Sequence, residues 1–291
     1  MWVVALCSLL LTGAATSTPD TVDDSVATRD YCIIGAGPGG VQLGYFLEQR
    51  GRDYVIFERS PRAADFFSHY PRHGNLISIN KRYTPSFQQH PDFRMRHDWN
   101  SLLSTQDNVS SSDVQCHERS LRNPKLLFGN WSDDYYPQAG DLVKYVNYFA
   151  NHFGLNIHYN RRVEAVLRYT TVQSVPEAAK FQLQVRNLEP HDSSSQNEAD
   201  LASVDCRRVV VATGLSATFS PQNMRNVDRN GNAVVLGYED VPLEADFFRD
   251  KEVMILGKGN AAFELANSIS AYSTATTILS RSELRLSYVS S

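Results

Sequence analysis

Residues 29–40 read Arg-Asp-Tyr-Cys-Ile-Ile-Gly-Ala-Gly-Pro-Gly-Gly, and this stretch decides the fold. Residues 31–34 form a short apolar run, the glycine turn follows at once, and residues 39–50 carry helical periodicity. Residues 54–58 (YVIFE) then read as a second strand. Strand, G-x-G-x-x-G turn, helix and strand make the opening of a Rossmann-like α/β fold. Each glycine has its own physical task. Gly35 permits the tight turn, Gly37 lets the backbone approach a pyrophosphate, and Gly40 allows close packing of helix on strand. The first turn of the helix offers backbone N–H groups and positive dipole to the phosphates. With 16 glycines in 291 residues, chance alone supplies about 0.05 such patterns. Glu58 ends the second strand, where a carboxylate reaches ribose hydroxyls.

The same reading recurs near the other end of the chain. Residues 253–256 form a strand, followed by Gly257-Lys258-Gly259-Asn260-Ala261-Ala262 and a helix. This G-x-G-x-x-A turn assigns a second dinucleotide to Gly257, Gly259 and Ala262. The next strand, 276–279, ends in Ser280-Arg281-Ser282 with no carboxylate. Arg281 suits the extra 2′-phosphate of NADP, which a guanidinium can bind through two charge-assisted hydrogen bonds. Between the two units, the buried strand 208–212 runs into Thr213-Gly214. Two dinucleotide turns in one fold imply FAD at the first, a nicotinamide co-substrate at the second (NADPH in preference to NADH, on Arg281), and hydride transfer between them. The sequence therefore predicts an α/β protein with an FAD-binding domain over 29–249 and a partial NADP-binding βαβ unit over 250–291.

Composition narrows the class further. The chain has 28 Lys+Arg against 32 Asp+Glu, a net charge of -4 and 42% hydrophobic residues. Such a chain can fill a core, and its charge gives no electrostatic reason to bind nucleic acid or anionic membranes. Residues 2–11 (WVVALCSLLL) are apolar and precede a run of small residues. That block is too short for the roughly 20 residues of a membrane span and has the length of a signal-peptide core. Cleavage near residue 16 and entry into the secretory pathway are expected, with no membrane span. Cys32, Cys116 and Cys206 then remain, widely spaced and without a C-x-x-C pair. Cys32 reads as a free thiol acting as a small apolar residue in a core strand. Asn108 and Asn130 head N-x-S sequons and are candidate glycosylation sites on that route. The histidines at 69, 73, 90, 97 and 117 show no ligand spacing, so no metal is expected. Residues 104–120 and 189–200 read as polar loops, and 141–153 as an amphipathic helix beginning at Asp141 and ended by Gly154.

Taken together, RDYCIIGAGPGG, GRDYVIFERSPR, YPRHGNLISINKRYT, RHDWNSLL, VVVATGLS and GKGNAAFELA resemble the flavin-monooxygenase-like branch of the two-dinucleotide-binding flavoproteins. The YPRH…LISINKRYT and RHDWNSLL blocks tie the resemblance to members in the lumen of the endoplasmic reticulum. It implies an FAD oxidoreductase linked to NADPH and to the degradation of misfolded glycoproteins, with the degradation machinery and those glycoproteins as partners. By resemblance, Gly35, Gly37 and Gly40 meet the FAD pyrophosphate and Glu58 its ribose. The backbone of Val163 meets the adenine, Gly214 lies near the flavin, and Asn80 sits beside the isoalloxazine as the catalytic-site residue. Gly257, Gly259, Ala262 and Arg281 fall on the nicotinamide dinucleotide.

Two departures set the alternatives. Flavin monooxygenases carry F-x-G-x-x-x-H before the second turn, where this chain has Val235-Leu236-Gly237-Tyr238-Glu239-Asp240-Val241. Oxygenation of a small substrate is therefore not expected. The sequence also stops at Ser291, one βαβ unit into the second module and without a KDEL-like tetrapeptide. The readings that compete with an active oxidoreductase are a non-catalytic quality-control binding factor and a truncated remnant without flavin.

Overall fold

The computed structural model describes residues 28–83, 97–104, 124–169, 179–189, 201–214 and 235–283. The expected signal peptide, Asn108 and Cys116 lie outside them. Strand β1 (Arg29–Ile34) leads through the first glycine turn into helix α1 (Pro38–Glu48), and β2 (Tyr54–Phe57) follows. Pro38 at the first helical position has φ preset for the helix and lacks an N–H that would go unpaired there. Helix α2 (Ala139–His152) runs on to β3 (Ile157–His158). It starts earlier than the sequence predicts. Gln138 is its N-cap, and Asp141 lies inside the first turn, where its charge favours the helix N-terminus. Gly154, at φ +59, ends it as expected.

Strands β4 (Arg161–Arg168), β5 (Phe181–Asn187) and β6 (Leu201–Val211) form an antiparallel meander. The strand order is β3-β2-β1-β6-β5-β4. β6 joins the parallel and antiparallel halves of this one sheet. Its first half pairs with β5, its second half runs parallel to β1, and Cys206 stands in both ladders.

Side-chain alternation along β1 and β2 produces three layers. Ile33, Tyr54 and Ile56 face α1 and α2, where Tyr45, Tyr145 and Phe149 are fully buried. Each such large apolar side chain contributes roughly 1.5–3 kcal/mol through burial. Cys32, Val55 and Phe57 face the other way, onto Leu183, Val185, Val204 and Cys206 of the meander.

In that second seam the structure corrects the free-thiol expectation. Cys32 and Cys206 form a disulfide, with Cα atoms 6.1 Å apart. Both are fully buried. A sequence separation of 174 residues leaves no spacing pattern to betray the pair.

The second unit comprises β7 (Glu252–Leu256), helix α3 (Asn260–Ile269) and β8 (Ala275–Leu279), with the two strands parallel. Ile255, Leu265 and Ile269 form its core together with Val241 and Phe248 from the preceding segment. Arg72 pins this segment to the first unit. Its backbone N–H donates to the Tyr238 hydroxyl at 3.2 Å, and its Nη2 donates to the Val241 carbonyl at 2.6 Å. The rings of Tyr70 and Tyr238 stack at 6.1 Å. Among the described residues, no helix is long and apolar enough to cross a membrane.

Candidate dinucleotide sites

The first turn is built by close approach. Gly35 has φ +103, and its N–H donates to the Phe57 carbonyl at 2.8 Å. A Cβ at Gly35 would lie 2.7 Å from the Ala212 carbonyl oxygen, and one at Gly40 only 2.0 Å from the Gly35 carbonyl oxygen. Both glycines are thus dictated by backbone packing of α1 and β6 around the turn. Gly37 differs. It is the N-cap of α1, with ordinary extended angles (φ -68°, ψ 177°), and a Cβ there would meet nothing within 4 Å. Its side of the turn is open.

Helix α1 has no side-chain cap and no acidic residue in its first turn. Its leading N–H groups therefore remain available to an anion. Glu58 sits against the same turn. Its Oε2 accepts the Ala36 N–H at 2.7 Å, and its Oε1 accepts the Ser60 N–H at 2.9 Å. Two backbone donors fix the carboxylate, and each oxygen keeps a lone pair for a hydroxyl. This clasp on Ala36 is a contact that the sequence spacing did not reveal. An open glycine face, an uncapped helix start and a positioned carboxylate fit the pyrophosphate and ribose of a dinucleotide.

Gly214, at φ +65, follows β6 with open space around it. It lies two residues beyond Ala212, the wall of the Gly35 turn. Val163 is half-buried on β4, where the ladder with β5 shifts register between Val163 and Ala165. The strand reaches the site because the Arg161 N–H donates to the Glu58 carbonyl at 2.8 Å. The structure thus gathers Gly35, Gly37, Gly40, Glu58, Val163 and Gly214 along the ends of β1, β2, β4 and β6.

Asn80, which the resemblance sets beside the isoalloxazine, anchors the segment around residue 80. It is 1% exposed, and its Nδ2 donates to the Ser132 carbonyl at 2.8 Å. Its Oδ1 accepts the Arg82 N–H at 3.2 Å, and its own N–H donates to Tyr135 at 2.9 Å. The side chain joins two loops with one amide N–H and one Oδ1 lone pair, and keeps the other of each.

Residues 97–104, from the RHDWNSLL block, dock on α1. Gln42 exchanges two hydrogen bonds with the Leu103 backbone (3.0 and 2.6 Å), and the Leu102 N–H donates to the Tyr145 hydroxyl at 2.6 Å. Asp98 Oδ1 accepts from the Asn100 and Ser101 N–H groups, while Oδ2 is buried without a partner. Burial pushes the Asp98 carboxyl above the usual range, against the opposing pull of these hydrogen bonds and the charge of Lys81. The packing parts played by Gln42, Asp98 and Tyr145 were not legible in the sequence. Their roles depend on partners from other segments.

The second turn repeats the design. Gly257 has φ +123 and donates its N–H to the Leu279 carbonyl at 2.8 Å. Gly259 is the N-cap of α3, again with no side-chain cap and no acid in the first turn. Ala262 closes that turn, its N–H donating to Gly259 at 3.0 Å. Lys258 crosses the turn, its Nζ donating to the Ser282 carbonyl at 3.1 Å and also to that of Glu283. It holds the segment carrying the exposed Arg281 beside the glycine turn. Among the described residues, no group of three or more His, Cys, Asp or Glu side chains could hold a metal.

Comparison with known proteins agrees with this geometry. Residues 29–290 match the pyridine nucleotide-disulphide oxidoreductase family. A mouse protein, FAD-dependent oxidoreductase domain-containing protein 2, is 38% identical over 260 residues, which are 89% of this chain and 33% of the mouse protein. Its zebrafish counterpart is 36% identical over 90% of this chain and 32% of its own length. The chain thus spans about a third of these relatives. A flavin monooxygenase from Stenotrophomonas maltophilia superposes with a TM-score of 0.58 at 19% identity, covering 88% of this chain and 58% of that one. That likeness concerns the fold.

Proposed function

The chain belongs to the pyridine nucleotide-disulphide oxidoreductase family, and on that premise we propose that it is an FAD-binding, NADPH-linked oxidoreductase of the endoplasmic reticulum lumen, serving the degradation of misfolded glycoproteins. The observation that carries the FAD assignment is the first turn: Glu58 clasps Ala36 beside the open Gly37 face of an uncapped helix. When bound there, FAD supplies a ring that accepts hydride. Everything else falls to the chain. The first-turn N–H groups of α1 hold the pyrophosphate, and Glu58 receives the ribose hydroxyls. The backbones at Val163 and Gly214 bound the adenine and flavin ends. At the second turn, Gly257, Gly259 and Ala262 hold the NADPH pyrophosphate, while Arg281, steadied by Lys258, takes the 2′-phosphate. Catalysis then rests on positioning, because the described residues contribute no assigned nucleophile.

The lumenal part of the proposal is supported by the apolar leader at residues 2–11, by the buried Cys32–Cys206 disulfide and by the exposed sequon asparagine Asn130. A glycan at Asn130, and one at Asn108, belong to the same proposal, as do the degradation machinery and misfolded glycoproteins as partners. One observation favours the second reading, a non-catalytic quality-control factor. Val241 stands where monooxygenases place a histidine, and its carbonyl is occupied by Arg72.

The deciding experiment is a visible spectrum of the purified chain before and after anaerobic NADPH. Bound flavin that bleaches supports the oxidoreductase. Flavin that stays oxidised supports the binding factor, and a chain that takes up no flavin on reconstitution refutes both.

A further inference from the structure

We infer that the Cys32–Cys206 cross-link is installed during folding and that the FAD cradle becomes complete only once it has formed. FAD retention is then an oxidation-dependent property of this chain. The inference deepens the FAD assignment and rests on it.

The bond joins the two strands that deliver the two walls of the first turn. Cys32 lies on β1, three residues before Gly35, and Cys206 on β6, six residues before Ala212. Those two destinations touch: a Cβ at Gly35 would lie 2.7 Å from the Ala212 oxygen, and the Ala212 N–H donates to the Ile34 carbonyl at 2.9 Å. Fixing Cys206 against Cys32 therefore fixes the point at which β6 leaves the meander for the parallel layer, upstream of both turns.

The seam around the bond is small. Its buried residues are Cys32, Val55, Phe57, Leu183, Val185, Val204 and Cys206, so the half-cystines are two of the seven. Without the cross-link, the seam keeps five buried apolar side chains, the half-buried Ile34, Val163, Phe181 and Val209 at its margin, and the β1–β6 ladder.

Access fixes the order of events. Both cysteines are fully buried, so an external thiolate or disulfide cannot reach either sulfur once the seam has closed. The bond must form while the seam is still open. One cysteine thiolate attacks an external disulfide, forming a mixed disulfide and releasing one thiol. The other cysteine thiolate then displaces the second thiol and closes the Cys32–Cys206 bond. Two electrons and two protons leave the chain, and the external disulfide becomes two thiols. A protein dithiol–disulfide exchanger or a small-molecule disulfide supplies that chemistry. The same burial excludes a role as an electron relay to an outside substrate.

The test uses the full chain produced under oxidising conditions and non-reducing peptide mapping with mass spectrometry. A peptide pair linked through Cys32 and Cys206 is expected, with neither sulfur alkylated in the native protein. The chain is then denatured, reduced, and refolded with FAD in the presence or absence of a disulfide-exchange buffer. Recovery of the bound-flavin band only in the exchange buffer is expected. A Cys32→Ala/Cys206→Ala double variant, which keeps the seam apolar, should match the reduced sample. Unlinked cysteines in the native protein, or equal flavin recovery with and without the bond, overturns the inference. A linked chain that never takes up flavin overturns the FAD assignment and the dependence built on it, while leaving the cross-link itself established. The mapping and flavin readouts thus separate the two failures.

Discussion

Two alanine substitutions three residues apart, Gly37→Ala and Gly40→Ala, separate a glycine kept for a ligand from one kept for the fold. A Cβ at position 37 meets nothing within 4 Å, and the backbone there has φ -68°, which any residue adopts. Loss of glycine at an N-cap costs a few tenths to about 1 kcal/mol. Reduced freedom of the unfolded chain returns about 0.4–1 kcal/mol. The apo protein should therefore unfold within about 1 kcal/mol of wild type. FAD should be affected far more, because the new methyl occupies the face across which the pyrophosphate must approach. Losing one charge-assisted hydrogen bond of about 1.5–3 kcal/mol weakens binding by roughly 10- to 100-fold.

Gly40→Ala behaves in the opposite way. Its Cβ would stand 2.0 Å from a backbone oxygen of the preceding turn, which only a shift of α1 off β1 can relieve. Overpacking of this kind costs about 1–3 kcal/mol or more, with or without FAD. Urea unfolding of the two apo variants, together with flavin titration followed by fluorescence quenching, reads both quantities. If Gly37→Ala binds FAD with wild-type affinity, the open face is not the cofactor's and the assignment of the turn fails. If Gly40→Ala is as stable as wild type, the packing argument fails instead.

Asp98→Asn should stabilise the protein at neutral pH, relative to wild type. The folded carboxyl has a raised pKa, so the folded state binds the proton more tightly than the unfolded state does. Stability contributed by the protonated form is present below the unfolded pKa and is lost as pH rises through the folded one. The gain in Asn should therefore vanish at low pH, which urea midpoints across a pH series will show. The half-buried His73 imidazole is held below its usual pKa by desolvation first and by the Arg72 charge second. Its contribution runs the other way: it is present above the unfolded pKa near 6.5 and lost as pH falls through the folded value. A His73→Gln variant should lack that acid-side loss in the same series. Arg281→Ala should raise the KM for NADPH by roughly tenfold while leaving that for NADH unchanged, since only the 2′-phosphate contact is removed. Equal effects on both donors in steady-state reduction assays would place the 2′-phosphate elsewhere. Arg72→Ala removes the guanidinium bond to the Val241 carbonyl. It should increase protease cleavage between residues 235 and 250 in limited digests, and an unchanged cleavage pattern would show that the joint does not depend on this residue.

What the sequence disclosed follows a physical divide. Strand, glycine turn, helix and carboxylate in residues 29–58 are consecutive, so their spacing carries the geometry, and Glu58 arrived beside the turn it was assigned to. The turn at Gly257 was readable for the same reason. Features assembled from distant segments were not. The Cys32–Cys206 bond closes 174 residues of chain, and the pairing of Gln42 with Leu103 spans 61. No local periodicity reports either. Asn80 shows the divide within a single residue. The resemblance assigned it a place beside a ring, but its bonds to Ser132, a distant position, and to Arg82, a neighbouring one, are seen only in the folded chain. Asp98 adds the energetic side of the same point: within a surface-looking Asp-Trp-Asn-Ser stretch, its carboxyl becomes costly to ionise because folding buries it. The glycine turns are therefore the part of the site that any short piece of chain can announce. The cross-link, the buried acid and the loop-joining asparagine come into being only when the chain has closed on itself.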